Sequence, residues 1–271
     1  ERTVILIAND DMPFLVDSVS CELDRMEASA QLVIHPILTV RRDGDGRLIE
    51  LCVDTADAGI PGDARAESLM HVEIPHHGNP EDLERLSDNI LSVLGDVRLA
   101  VRDWQAMRRE TIRFAADFDG PSPGVTADQA AEVSDFLRWL HDDHYTFLGY
   151  RRIRFENKGG KRILHIERDH SLGVLIKPSL TIFGGVSDGA PAPPQSAAFL
   201  DSKDVLLIIK ANQRSTVHRR GHFDVVGVKI FDTKGNVAGM HMLVGLFTAD
   251  VYTNSPNFVP VLRRKIDRIR N

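Results

Sequence analysis

Val4, Ile5, Leu6, Ile7 and Ala8 form an unbroken apolar run, the pattern of a strand covered on both faces. Leu15, Val19, Leu23 and Met26 then recur at spacings of four, four and three, which puts them on one helical face. Between the two lies the acid-rich turn Asn9, Asp10, Asp11, Met12, Pro13. Asp10 or Asp11 is expected to cap the helix, with Pro13 in its first turn, where a missing N–H costs nothing. Leu32–Val40 and Leu48–Val53 read as strands around a hairpin turn at Asp43, Gly44, Asp45 and Gly46. Residues 54–66 read as an exposed loop, and Met70, Val72 and Ile74 alternate with polar neighbours as a half-buried strand. Asn79, Pro80, Glu81 and Asp82 open a second helix with the stripe Leu83, Leu86, Ile90 and Leu94. Gly95 is expected to end it, and Val97, Leu99 and Val101 to form a closing strand. The resulting order is βαββαβ with one extra strand: a small antiparallel sheet with two helices on one face, a ferredoxin-like domain.

A charged helical stretch from Trp104 to Phe118 ends at Gly120-Pro-Ser-Pro-Gly124, the clearest linker in the chain. The division expected is a domain over 1–118, a linker over 119–125 and a second α+β domain over 126–271. Thr126 caps the next helix, which carries Val133, Phe136, Leu137 and Leu140. Strands are expected around 145–155, 161–167, 204–210, 223–232 and 238–248, with turns at Gly159-Gly160 and Gly235-Asn236, in a mostly antiparallel sheet. Residues 184–196 read as a mobile loop by composition, and 258–270 as a basic amphipathic helix with Leu262, Ile266 and Ile269 opposite Arg263, Arg264, Lys265 and Arg268.

The chain has 271 residues, 42% of them apolar, enough for two cores. Its net charge of -6 argues against nucleic acid as a partner, since phosphate neutralisation needs a basic face. No apolar stretch reaches the length of a membrane span, and the N-terminus lacks a signal pattern. Cys21 and Cys52 sit in apolar settings, too few for a disulfide scaffold, and the cytoplasm is the expected compartment. Glu1 directly before a strand, and Arg270-Asn271 with no capping glycine, make the chain read as part of something longer.

Candidate chemistry is sparse. The richest polar cluster is Lys210, Arg214, Ser215, Thr216, His218, Arg219, Arg220 and His222, where cations and hydroxyls at a strand end suit a carboxylate or phosphate, or equally a solvated connection. His141-Asp-Asp-His144 and His76-His77 match no zinc arrangement, so no metal is expected. A dinucleotide glycine turn, a Walker loop, Gly-x-Ser-x-Gly and His-Glu-x-x-His are all missing, so no catalytic residue is assigned.

Four blocks carry a resemblance. These are Asn9 to Val19, Phe136 to Leu140 with Tyr145 to Tyr150, Lys210 to Arg219, and Gly245 to Thr248 with Val261 to Lys265. Together they resemble the N-terminal region of the large bacterial NAD-specific glutamate dehydrogenases. The resemblance implies a very long cytoplasmic chain, a homotetramer, that converts L-glutamate, NAD and water to 2-oxoglutarate, ammonium and NADH at a catalytic domain far downstream. It implies an ACT-type regulatory module followed by a PAS-like module, with no cofactor in this segment and NAD in the parent enzyme. ACT modules commonly bind amino acids near the first strand–helix turn. Asn9, Asp10, Asp11 and Asp17 therefore become effector-binding candidates, with Lys210, Arg214, Ser215, His218 and Arg219 as anion-binding candidates. The leading expectation is a non-catalytic regulatory and oligomerisation segment; the alternatives are a purely structural pairing module and, more weakly, a stand-alone enzyme using the 214–222 cluster.

Overall fold

A computed structural model describes residues 1–52, 62–178, 187–253 and 255–270. The chain groups into two compact units: residues 1–98 with 216–220, and residues 99–215 with 221–271.

The first unit contains β1 (Arg2–Asp10), α1 (Leu15–Arg25), β2 (Leu32–Ile34), β3 (Ile37–Arg42), β4 (Leu48–Cys52), β5 (Arg65–Pro75) and the first half of α2 (Pro80–Ala116). The sheet runs β1-β5-β3-β4, with β2 beside β5, and every pairing is antiparallel. The expected run Leu32–Val40 is one strand broken at His35-Pro36, because proline removes a ladder donor. Its halves β2 and β3 both lie along β5, on the side opposite β1. Ile7, Met70, Val72 and Ile74 face the helices, where Leu15, Val19, Leu23, Leu86, Ile90 and Val97 complete a buried core. Strand alternation leaves Val4 and Leu6 on the other face, 50% and 70% exposed. The Asp43–Gly46 hairpin forms as expected: Asp43 Oδ1 accepts from the Asp45 and Arg47 amides, and Gly46 takes a φ of 80°. Most of the expected 54–66 loop lies outside the described residues.

Two sequence expectations fail in this unit. Asp10 and Asp11 do not cap α1: β1 runs through Asp10, Asp11 N still bonds Ala66 O at 3.0 Å, and the helix starts only at Leu15. The acids therefore lie too far upstream, and the N-cap is Phe14, with a φ of 72° and no side-chain cap bond. Residues 97–101 are not a strand, and Gly95 does not end α2, which continues without a break to Ala116. Leu86, Ile90, Val93, Val97, Ala100, Met107, Thr111 and Phe114 are all buried along it. This 3.6-residue period outweighs a five-residue alternation and the cost of about 1 kcal/mol for a mid-helix glycine. The βαββαβ order therefore lacks its last strand, and among the described residues one edge of β1 is unpaired.

The second unit holds the rest of α2, then α3 (Ala127–Trp139), β6 (Tyr145–Lys158), β7 (Lys161–Gly173), α4 (Pro194–Asp201), β8 (Leu206–Arg214), β9 (His222–Phe231), β10 (Val237–Phe247), α5 (Asp250–Thr253) and α6 (Pro260–Arg270). Its five strands form an antiparallel sheet ordered β7-β6-β10-β9-β8. Thr126 caps α3 as expected, in a full capping box with Gln129. One sheet face packs Tyr150, Val226, Val228 and Leu243 against Met107 and Phe114 of α2 and Phe136 and Leu137 of α3. Of the expected 184–196 loop, 184–186 lie outside the described residues and 194–196 begin α4.

Candidate functional site

Strand β1 and one face of α2 enclose a groove of ≈ 520 Å³, lined by Thr3 to Asn9 and by Leu83, Leu86, Ser87, Ile90, Leu91, Leu94 and Arg98. It lies along the unpaired edge of β1, and its volume falls in the range of small-molecule pockets. Asn9 sits at one end, 9% exposed, because alternation turns it toward the helix side. Its Nδ2 donates to Asp10 O at 2.7 Å, and its Oδ1 accepts from Arg98 Nη2 at 2.6 Å. Arg98 thus brings a cation to the end of a groove whose lining is mostly Val, Ile and Leu, with Thr3, Asn9 and Ser87 as its other polar side chains. The sequence reading missed it, because its place on the Ile90, Leu94, Arg98 stripe shows only once α2 is extended past Gly95.

The other acidic candidates do not line this groove. Asp10 is exposed at the strand end, 3.7 Å from Arg65 Nη1. Nearby Glu67 is buried and holds Arg42 through two contacts of 2.6 Å, and these hydrogen bonds keep its carboxyl below the usual range. Asp11 is held through its backbone to Ala66.

Asp17 instead meets the basic cluster. Residues 216–220 group with the first unit, and His218 lies on α1: its Nδ1 is 3.1 Å from Asp17 Oδ2, and its amide donates to Ser18 Oγ at 2.9 Å. Its carbonyl faces Cys21 Sγ at 3.7 Å, and its ring packs on Phe14 with centroids 4.9 Å apart. Thr216 Oγ1 donates to Asp96 Oδ2 at 2.9 Å, and Val217 is buried. The φ of 68° at His218 lets the segment present its backbone and its ring to the same helix.

The remaining basic candidates belong to the second unit. Lys210 Nζ is 2.6 Å from Asp224 Oδ1; burial lowers its pKa, but Asp224 and Tyr252 outweigh this and raise it overall. Asp224 is itself buried and also accepts from the Phe247 amide at 3.0 Å. Arg214 pairs in register with His222, and Ser215 N bonds Gly221 O at 2.8 Å. Arg219 is exposed. The cluster that is contiguous in sequence is therefore divided, with Lys210 facing Asp224 and His218 facing Asp17. Of the histidine pairs, His144 stacks on Trp139 with centroids 4.5 Å apart, and His77 Nδ1 lies 2.7 Å from Pro75 O. Among the described residues no three His, Cys, Asp or Glu side chains converge as a metal site, and both cysteines are free and half-buried.

Residues 1–90 match the family model described as the ACT1 domain of glutamate dehydrogenase. Over 99% of its length the chain is 33% identical to the NAD-specific glutamate dehydrogenase of Halomonas elongata and 32% identical to that of Pseudomonas aeruginosa. The corresponding Mycobacterium tuberculosis protein is 25% identical over 93% of the chain. The chain spans only 16% of the length of the first two relatives and 14% of the third. With its ACT1 match at residues 1–90 and its near-complete alignment within far longer proteins, the chain belongs to the NAD-specific glutamate dehydrogenase family as a segment that carries the ACT1 domain.

Proposed function

We propose that this chain is a non-catalytic regulatory and oligomerisation segment of a large cytoplasmic glutamate dehydrogenase, a homo-oligomer whose NAD-dependent reaction takes place in another part of the same polypeptide. The observation that carries this reading is the ACT1 match over a unit whose β1–α2 groove ends at Asn9 and Arg98. An amino-acid effector would place its carboxylate at Arg98, a charge-assisted contact that the acidic turn could not supply. Asn9, at the same end of the groove, is the candidate for its ammonium group, whereas Asp10, Asp11 and Asp17 lie outside the groove and do not share this ligand; Lys210, Arg214, Ser215, His218 and Arg219 remain candidates for a separate anion. The second unit is PAS-like in this reading, which its leading helix and antiparallel sheet support. Regulation then requires only that the effector favour one arrangement of the parent enzyme by about 1–3 kcal/mol.

A purely structural pairing role is the second reading, favoured by the unpaired β1 edge and the exposed Val4 and Leu6 beside it. Both readings expect the 271-residue chain to be blank for glutamate oxidation and to show no heat of NAD binding, since among the described residues no glycine turn leads into a helix N-terminus to hold a pyrophosphate. Tight NAD binding in calorimetry would overturn both.

A further inference from the structure

Strand β1 has the sequence of an inner strand and the position of an outer one. Val4–Ala8 is an unbroken apolar run, and the strand's charges, Arg2 and Asp10, lie at its two ends. Its pairing with β5 runs from Arg2 to Asp10 without a bulge. Edge strands are ordinarily blunted by a lysine, a proline, a bulge or short length, and between Arg2 and Asp10 β1 carries none of these. In an antiparallel pair every second residue turns its N–H and C=O away from the partner strand. Among the described residues no further strand takes up these groups of β1.

The topology says what belongs on that edge. In a split βαβ unit the helix carries the chain back past a neighbouring strand, so a strand after α2 would lie on the far side of β1 from β5. Instead α2 runs on to Ala116 and takes Val97, Leu99 and Val101 into its own period. The helix nevertheless overhangs the edge: Leu83, Leu86, Ile90, Leu91 and Leu94 form one wall of the ≈ 520 Å³ groove whose other wall is Thr3 to Asn9. Consecutive strand residues alternate between faces, so one groove reaches all seven only along the strand's edge. Leu91 is 63% exposed in the helical wall, and Val4 and Leu6 are exposed on the opposite face of the sheet. A strand laid there would meet apolar side chains on both of its faces and backbone partners along its length.

We propose that an extended apolar segment of the same polypeptide, from outside these 271 residues, adds to β1 as the missing strand. The chain spans 16% of the length of its relatives, so most of such a polypeptide lies outside it. The segment pairs with Thr3 to Ile7, turns every second side chain toward Leu91 and Leu94, and leaves the Asn9–Arg98 end of the groove open. A second copy of β1 fits less well. Its own α2 overhangs it, and two helices about 8–10 Å apart at closest would contend for the space above strands about 4.8 Å apart. The pairing needs neither Arg98 nor an effector, so an enzyme indifferent to amino acids would still show it. Hydrogen exchange of the full-length parent enzyme against the 271-residue chain tests it, with a cryo-EM map of the enzyme to identify the residues beside β1. The edge-facing amides of residues 3–7 should exchange about 100-fold or more slowly in the full-length enzyme. The map should show a strand from outside the 271 residues on β1. Leu91→Lys should leave the melting temperature of the 271-residue chain within about 2 °C and cut the added protection in the full-length enzyme about tenfold. Should the full-length Leu91→Lys enzyme fail to assemble, the map of the unsubstituted enzyme decides. Equal exchange of residues 3–7 in both proteins, protection indifferent to Leu91→Lys, an open edge in the map, or β1 of a second copy in that place overturns the proposal.

Discussion

Acidification from pH 6.5 toward 4 should destabilise the second unit well before its carboxylates are neutralised, and replacing Tyr150 and His241 together with phenylalanine should flatten that limb. His241 is 4% exposed, stacks on Phe114 with ring centroids 4.3 Å apart, and shares a hydrogen bond of 2.8 Å between its Nδ1 and the Tyr150 hydroxyl. Burial, reinforced by Arg152, Arg113 and His170, lowers its pKa from the ordinary 6.5 to about 3. The unfolded chain therefore binds a proton that the folded chain refuses throughout that window. Stability is fully present above about pH 6.5 and falls with pH by up to about 1.4 kcal/mol per unit as the folded value is approached. The paired carboxylates Glu67, Asp103 and Asp119 act in the same direction, but their pKa values are lowered from carboxylate values, so their loss falls at lower pH. The double substitution removes donor and acceptor together and leaves no polar atom orphaned, so it should cost little at pH 7. Chemical denaturation of both proteins from pH 7 to 4 measures the difference. Parallel curves would show that His241 is not held neutral.

Gly173→Ala should be among the most damaging single-methyl changes at the described glycines, costing about 4 kcal/mol or more. Gly173 has a φ of 60° and a ψ of -144°, a region open essentially to glycine alone, and an added Cβ would fall 2.2 Å from Leu148 O. The neighbour is β6 backbone and cannot move aside, while the Gly173 amide is engaged by Asp103 Oδ2 at 2.8 Å. Gly159→Ala is the control: its φ of 59° is also left-handed, but nothing lies within 4 Å of its Cβ position. That change should cost about 1–2 kcal/mol, the penalty of the conformation without the clash. Equal losses in urea denaturation would mean that β6 yields at this crossing.

Most of the second unit was legible in the sequence, because its devices are local. The Thr126 capping box, the glycine turns at Gly159-Gly160 and Gly235, and the alternation of Met240, Met242 and Val244 each fix an element without help from distant residues. The first unit was misread where two periods competed. Val97, Leu99 and Val101 alternate over too short a stretch to resist the helical stripe on either side, and the register of β1 decided that Asp10 is a strand residue. The candidate site was legible only in fragments. Asn9 stood in the expected turn, but its partner Arg98 lies 89 residues away, and Asp17 meets His218 across 201. No local pattern announces such pairings.

The regulatory reading is tested most directly by Arg98→Met in the full-length parent dehydrogenase, with NAD-dependent glutamate oxidation titrated against a panel of amino acids. Arg98 is exposed at its helix position, so its loss leaves Asn9 open to water and should leave the melting temperature of the chain nearly unchanged. At least one amino acid should shift the activity of the unsubstituted enzyme, and the substitution should weaken that response about 10- to 100-fold in concentration, the loss expected of one charge-assisted contact. An enzyme indifferent to every amino acid, or a response identical in Arg98→Met, would contradict the account.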